Sequence, residues 1–249
     1  MLSVFHYLRA AAAADICSVH RGAKSCIFRR TFAGNVVIEF VVVSVSVPSC
    51  DNVADIGFIV DSSGSLRREY QQEKEFVKAL ADKFDISSDG SRAGIVTFSY
   101  DAELSARLSD SKTTSDFKTA VDRLAFMGYT TRIDKALKIV RDELFLQSNG
   151  ARAMKPKLVF LLTDGSQTKD ADAVDPGELA KEIRKSGVNL VVIGIGSRVN
   201  TDELNRIAGN QSRTFLAKNF DHLNSAAFLQ TISEKACSEG RSMVVFCLA

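Results

Sequence analysis

Histidine is scarce in this chain. Among 249 residues there are only His6, His20 and His222. A Ser-His-Asp hydrolase needs one of them beside its nucleophile. The first two lie outside the regularly patterned part of the sequence, and His222 falls near the start of a closing helix, where it reads as a capping or packing residue. No G-x-S-x-G elbow is present. No G-x-x-x-x-G-K-[ST] loop is present either, which excludes a P-loop nucleoside triphosphatase. Gly194-Ile-Gly196 follows a strand, but Val199 stands where a third dinucleotide-type glycine belongs. Catalysis therefore finds little support, and the reading is of a non-enzyme.

Other absences narrow the class further. The five cysteines, Cys17, Cys26, Cys50, Cys237 and Cys247, form no C-x-x-C pair, so a zinc site has little support. Net charge is only +2, with acids and bases interspersed, which lacks the clustered basic face of a nucleic-acid binder. The run Val36 to Val47 is apolar, but Glu39 interrupts it and Pro48 ends it, leaving it too short to span a membrane.

What is there begins after residue 50. Between Ala54 and Ala236, strands and helices alternate. Ile56 to Val60 is a short continuous apolar run, as expected of a strand buried on both faces. Leu66 to Phe84 reads as a helix with Leu66, Tyr70, Val77, Leu80 and Phe84 on one stripe. Ala93 to Phe98 is a strand, and Ala102 to Leu108 alternates like an edge strand. Helices are expected over Thr114 to Leu124 and Arg132 to Phe145. Lys157 to Thr163 is the most apolar strand and is expected at the centre. A helix begins at Pro176 and is capped at Gly187. The strand Val188 to Ile195, the helix Thr201 to Ala208, the strand Thr214 to Ala217 and a helix Phe220 to Ala236 complete the pattern. The fold class is α/β: a Rossmann-like doubly wound sheet, mostly parallel, with one antiparallel edge strand and helices on both faces.

In such sheets ligands bind beyond the carboxyl ends of the strands. Three segments fall there: Asp61-Ser62-Ser63-Gly64-Ser65, Gly128-Tyr129-Thr130-Thr131, and Thr163-Asp164-Gly165. In the D-x-S-x-S loop the oxygens of Asp61, Ser63 and Ser65 are spaced to converge, with Gly64 letting the backbone bend. Asp164 adds a second carboxylate and a threonine of the middle segment a fifth oxygen. An all-oxygen set without sulfur or imidazole suits a hard cation, Mg²⁺ or Mn²⁺. Each piece alone is also a good turn or helix cap; the signal lies in their common edge.

With these motifs in order over residues 51 to 237, the sequence resembles the von Willebrand factor type A (VWA) family, in the extracellular matrix type of matrilins and type VI-like collagens. The resemblance implies a metal-ion-dependent adhesion site whose ligands are Asp61, Ser63, Ser65, Asp164 and a threonine. Counting back from Ala136-Leu137 favours Thr131 over Thr130, although the sequence departs from a frequent G-G-T-x-T-G pattern. It further implies that a Glu or Asp carboxylate of an extracellular protein partner completes the coordination of the ion. The rival readings are a structural module, or an intracellular scaffold of the same fold, that does not use the metal for partner binding. The loops Tyr100 to Glu103, Tyr129 and Gln167 to Asp175 are expected to form the rim that meets a partner.

Cys50 and Cys237 flank the patterned region. They are either a disulfide closing the domain, worth about 5 kcal/mol in the chain-entropy model, or two free thiols. Asn210-Gln211-Ser212 is a candidate glycosylation sequon. Together they lean toward a secreted chain. The expected organisation is an unassigned segment 1–49 (a signal remnant, the end of a preceding domain or a gene-model flank), a domain over 50–237, and an unassigned tail 238–249.

Overall fold

The computed structural model describes residues 53–239 throughout and, before them, four strands within residues 16–46. The chain divides into two compact units, Met1–Ser49 and Cys50–Ala249. In the first, β1 (Ile16–His20), β2 (Ala23–Phe32), β3 (Asn35–Glu39) and β4 (Val45–Ser46) pair antiparallel, with β2 holding β1, β3 and β4. The sequence leaves this segment unassigned, because Met1 to Gly34 shows no clear side-chain period from which strands can be read.

The second unit carries a six-stranded sheet in the order β10-β9-β8-β5-β6-β7. Its strands are β5 (Asp55–Asp61), β6 (Arg92–Phe98), β7 (Ala102–Ala106), β8 (Lys157–Thr163), β9 (Val188–Ile195) and β10 (Thr214–Ala217). All neighbours are parallel except β6 and β7, so β7 is the antiparallel edge strand that the sequence predicts. β5 and β8 lie at the centre, and their continuous apolar runs are buried almost throughout. A strand covered on both faces has no polar side to alternate with.

Among the described residues seven α-helices flank the strands: α1 (Tyr70–Ala81), α2 (Thr114–Asp122), α3 (Ile133–Ile139), α4 (Pro176–Lys185), α5 (Thr201–Ala208), α6 (Phe220–Leu223) and α7 (Ala226–Glu239). Alternate strand residues feed two cores. Ile56, Phe58 and Val60 point into the core closed by Phe76, Val77 and Leu80 of α1, Phe117 and Val121 of α2, and Ile232 of α7. Ile59, Val159 and Leu161 point into the other, closed by α3, α4 and α5 through Leu137, Ile183 and Leu204. That is the period-2 alternation of a sheet sandwiched between helix layers.

Three element boundaries differ from expectation. The helix expected from Leu66 starts only at Tyr70, after a single 3₁₀ turn over Gly64–Leu66. The helix from Ile133 finishes in a π-helical turn over Val140–Leu144, which keeps Leu144 buried against Gly57 and Gly94. The closing helix is two helices. Asn219 caps α6 by accepting from His222 N at 2.8 Å, and Ser225 Oγ accepts from Phe228 N at 3.3 Å to start α7. Two local side-chain caps compete with helix continuation and break it at Asn224-Ser225. His222 packs on Phe228 with ring centroids 4.8 Å apart, in keeping with its structural reading.

Candidate functional site

The carboxyl ends of β5 and β8 are neighbours in the sheet, and this brings Asp61 and Asp164 to one edge. The loop after β5 is tied down on both sides. Ser62 N donates to the carbonyl of Phe98 at 2.7 Å, at the end of β6. Gly128 N donates to Ser62 O, and Gly64 N to Tyr129 O, each at 2.8 Å. The sequence predicts a glycine bend at Gly64, but its φ is not positive. Its role is close approach: a Cβ there would lie 3.1 Å from the Tyr129 carbonyl. Tyr129 itself carries the strain, with φ of 72° in the left-handed region, and the residue is 80% exposed.

Within the loop the oxygens converge. Asp61 is fully buried, and its Oδ1 accepts from Ser63 N at 2.8 Å. Its Oδ2 accepts from Thr163 Oγ1 at 2.6 Å. Ser63 Oγ and Ser65 Oγ are 3.1 Å apart, and Ser65 Oγ donates to Asp164 Oδ1 at 2.7 Å. Thr131 enters from the third side. Its N–H donates to Thr168 Oγ1 and its carbonyl accepts from Thr168 N, which fixes its backbone. Its Oγ1 would be 3.3 Å from a Cβ on Gly165, so the hydroxyl faces the Thr163-Asp164-Gly165 turn. Thr130 is exposed.

Two carboxylates so placed destabilise one another. Burial, opposed by the hydrogen bonds from Thr163 and Ser63 and aided by the charge of Asp164, raises the Asp61 pKa to about 6. Behind Asp61 stands a third acid. Glu73 of α1 is fully buried, and its Oε1 accepts from Asp61 N at 3.1 Å. Burial first, and the charge of Asp61 second, push its pKa well above the usual carboxyl range. The arrangement is a hard-oxygen set of two carboxylates and neutral hydroxyls, with Asp61 buried and touching no cation among the described residues. That chemistry fits a divalent cation bound through Asp61, Ser63, Ser65, Thr131 and Asp164.

Several neighbours of the site carry no motif that marks them in the sequence. Glu73 is legible in part, since it falls on the buried stripe between Tyr70 and Val77. Arg198, just past the carboxyl end of β9, forms an ion pair with Asp164. Arg132, directly after Thr131, is completely buried and bonds Asp134 at 2.8 and 3.0 Å. It also reaches Asp170 and Asp172 in the rim loop. Gln167 adds bonds to both the backbone and the carboxylate of Asp134. Burial opposes ionisation of Asp134, but the Arg132, Val174 and Gln167 hydrogen bonds prevail and hold its pKa at about 2. The rim loop is thus clamped beside Thr131.

Cys237 is disulfide-bonded; Cys50 lies outside the described residues. Asn210 is exposed, and its Oδ1 accepts from Ser212 N at 2.9 Å. Among the described residues, no helix is long and apolar enough to cross a membrane.

Residues 55–232 match the family model of the von Willebrand factor type A domain. The collagen alpha-6(VI) chain of Mus musculus is 36% identical over 70% of this chain, which spans 7% of that collagen. Matrilin-1 of Gallus gallus is 33% identical over 62% of this chain, which spans 30% of that protein. The chain therefore corresponds to a small part of the relatives it matches. Among solved structures, proximal thread matrix protein 1 of the mussel byssus is similar with a TM-score of 0.71 at 31% identity, covering 76% of this chain and 49% of the other. A further structure of that mussel protein has a zinc-occupied MIDAS motif.

Proposed function

The chain belongs to the von Willebrand factor type A domain family, and from that premise we propose that it is a metal-ion-dependent adhesion module of an extracellular protein. Asp61, Ser63, Ser65, Thr131 and Asp164 hold Mg²⁺ or Mn²⁺. The observation that carries the reading is the convergence of Asp61, Ser63, Ser65 and Asp164 through contacts of 2.6–3.1 Å across two neighbouring strand ends. Bound there, the cation supplies a Lewis-acidic position that accepts a Glu or Asp carboxylate of a protein partner.

The side chains have separable parts in this. Asp61, desolvated and oriented by Ser63 N and Thr163 Oγ1, contributes charge. The hydroxyls of Ser63, Ser65 and Thr131 contribute neutral oxygens, so the site leaves positive charge unsatisfied and attracts an outside anion. Arg132 and Gln167 hold the rim loop that meets the partner, and Tyr129 and Tyr100 present exposed rings beside it.

The kinship to collagen and matrilin chains supports an extracellular setting and a binding role without catalysis. We further propose a domain over residues 50–237, closed by Cys50 as the disulfide partner of Cys237, with Asn210 as a glycosylation acceptor. Calorimetric titration of the chain with Mg²⁺ and Mn²⁺, beside Asp61→Ala, tests the function. Saturable binding that the variant loses supports it. Absence of binding to the intact chain sinks the metal-dependent reading and leaves a structural module.

A further inference from the structure

Arg198 lies on the loop between β9 and α5, past the same sheet edge as the candidate metal ligands. Its backbone carbonyl accepts from Ser166 Oγ at 3.3 Å, which sets its position against the turn that carries Asp164. Glu203, on the first turn of α5, accepts from Gln167 N at 2.9 Å and fastens the same two loops a second time. The guanidinium then meets Asp164 directly through Nη2.

The two partners are unlike in exposure. The Asp164 side chain is 3% exposed and that of Arg198 is 63% exposed. The carboxylate is fixed by Ser65 Oγ at 2.7 Å, whereas the guanidinium has no second side-chain or backbone bond among the described residues. Contrast Arg132, which is fully buried and bonds three acids. Arg132 is built into the structure; Arg198 is held by one bond at a solvated rim and can swing away at little cost. Asp61, Asp164 and Glu73 are three acids in one desolvated cluster, and among the described residues Arg198 is the cation that reaches it directly.

We propose that Arg198 is a resident rival of the divalent ion for Asp164. With the site empty, its guanidinium balances the Asp164 carboxylate and spares the cluster its mutual repulsion. Loading the ion requires Asp164 to exchange one cation for another, so Arg198 lowers the intrinsic metal affinity. This rests on the metal reading above and adds to it a residue that tunes the site. A partner carboxylate arriving at the rim brings negative charge that both the ion and the displaced guanidinium attract, so metal and anionic partner reinforce each other's binding.

The test is calorimetric titration of Mn²⁺ alone into the intact chain and into Arg198→Gln and Arg198→Lys. Because Arg198 is exposed, neither change threatens the fold. Removing a unit positive charge from beside a metal ligand tightens the ion by about fivefold or more. The expected result is therefore tighter Mn²⁺ binding to Arg198→Gln, with Arg198→Lys between it and the native chain. Binding to Arg198→Gln alone, with none to the native chain, also supports the proposal. Equal or weaker binding to Arg198→Gln, when the native chain binds, overturns it and leaves the metal site standing. No binding to any of the three overturns it together with the reading beneath it.

Discussion

The backbone N–H of Asp61 donates to Oε1 of Glu73, and the other oxygen of that carboxyl, Oε2, is buried without a partner among the described residues. Burial and the neighbouring Asp61 charge push this acid toward its neutral form, against the opposing pull of the Asp61 N–H that it accepts. Its folded pKa lies above its unfolded one. The stability it contributes is thus complete in acid and is lost as pH rises toward the raised value. Glu73→Gln keeps the acceptor and cannot ionise. It is expected to melt higher than the native chain at pH 8, by a few degrees, with the difference vanishing near pH 4. A variant that melts lower at pH 8 would show that the ionised carboxylate stabilises the fold.

Asp61 behaves in the same sense with a defined window. Its pKa rises from 3.8 to about 6. The folded state therefore favours its proton, and that advantage, on the order of 3 kcal/mol, is present below about pH 4 and lost as pH climbs through about 6. Without divalent ions, the domain should lose stability between pH 4.5 and 7.5 through this group. With saturating Mg²⁺ the trend should flatten or reverse, because the metal binds the deprotonated form. Melting curves in chelator and in excess Mg²⁺ at the two pH values check this; identical slopes in both would contradict it.

Tyr129 stores backbone strain at φ of 72° while the residue remains 80% exposed. Tyr129→Gly relieves that strain and is expected to stabilise the domain by about 1 kcal/mol. If the exposed ring meets a partner, the same variant binds that partner less tightly. Denaturant unfolding reads the first effect and partner titration the second.

Arg132 neutralises Asp134 in a fully buried pair and reaches out to Asp170 and Asp172. Arg132→Ala leaves an uncompensated buried carboxylate and is expected to cost about 3–5 kcal/mol. It should also speed amide exchange across residues 167–174. A loss under 1 kcal/mol would mean that Asp134 finds solvent once Arg132 is gone.

Much of this architecture is legible in the amino-acid sequence. Short continuous apolar runs at Ile56–Val60 and Lys157–Thr163 are what strands buried on both faces require, and helix stripes such as Ile133, Leu137, Val140 and Leu144 need a partner layer. Turn and cap chemistry marks the ends: Pro176 opens α4, with Gly187 just beyond its end at φ of 89°. Because β5 and β8 end in Asp61 and Thr163-Asp164, a parallel sheet alone implies that the two carboxylates share an edge.

Local signals do not order the side-chain contacts between loops. Whether Glu73 faces Asp61 depends on where α1 starts, and the 3₁₀ turn at Gly64–Leu66 delays that start. Whether Arg198 reaches Asp164 depends on the pairing of β9 with β8, which no single segment encodes. Sequence determined most strands and helices of the second unit and the oxygen-bearing residue types at its sheet edge, because these follow from periodicity and turn chemistry within a few residues. Tertiary structure decided which charges meet, because burial and strand order bring together groups that lie as far apart in the chain as Asp61 and Thr163, and only desolvated proximity shifts their energies.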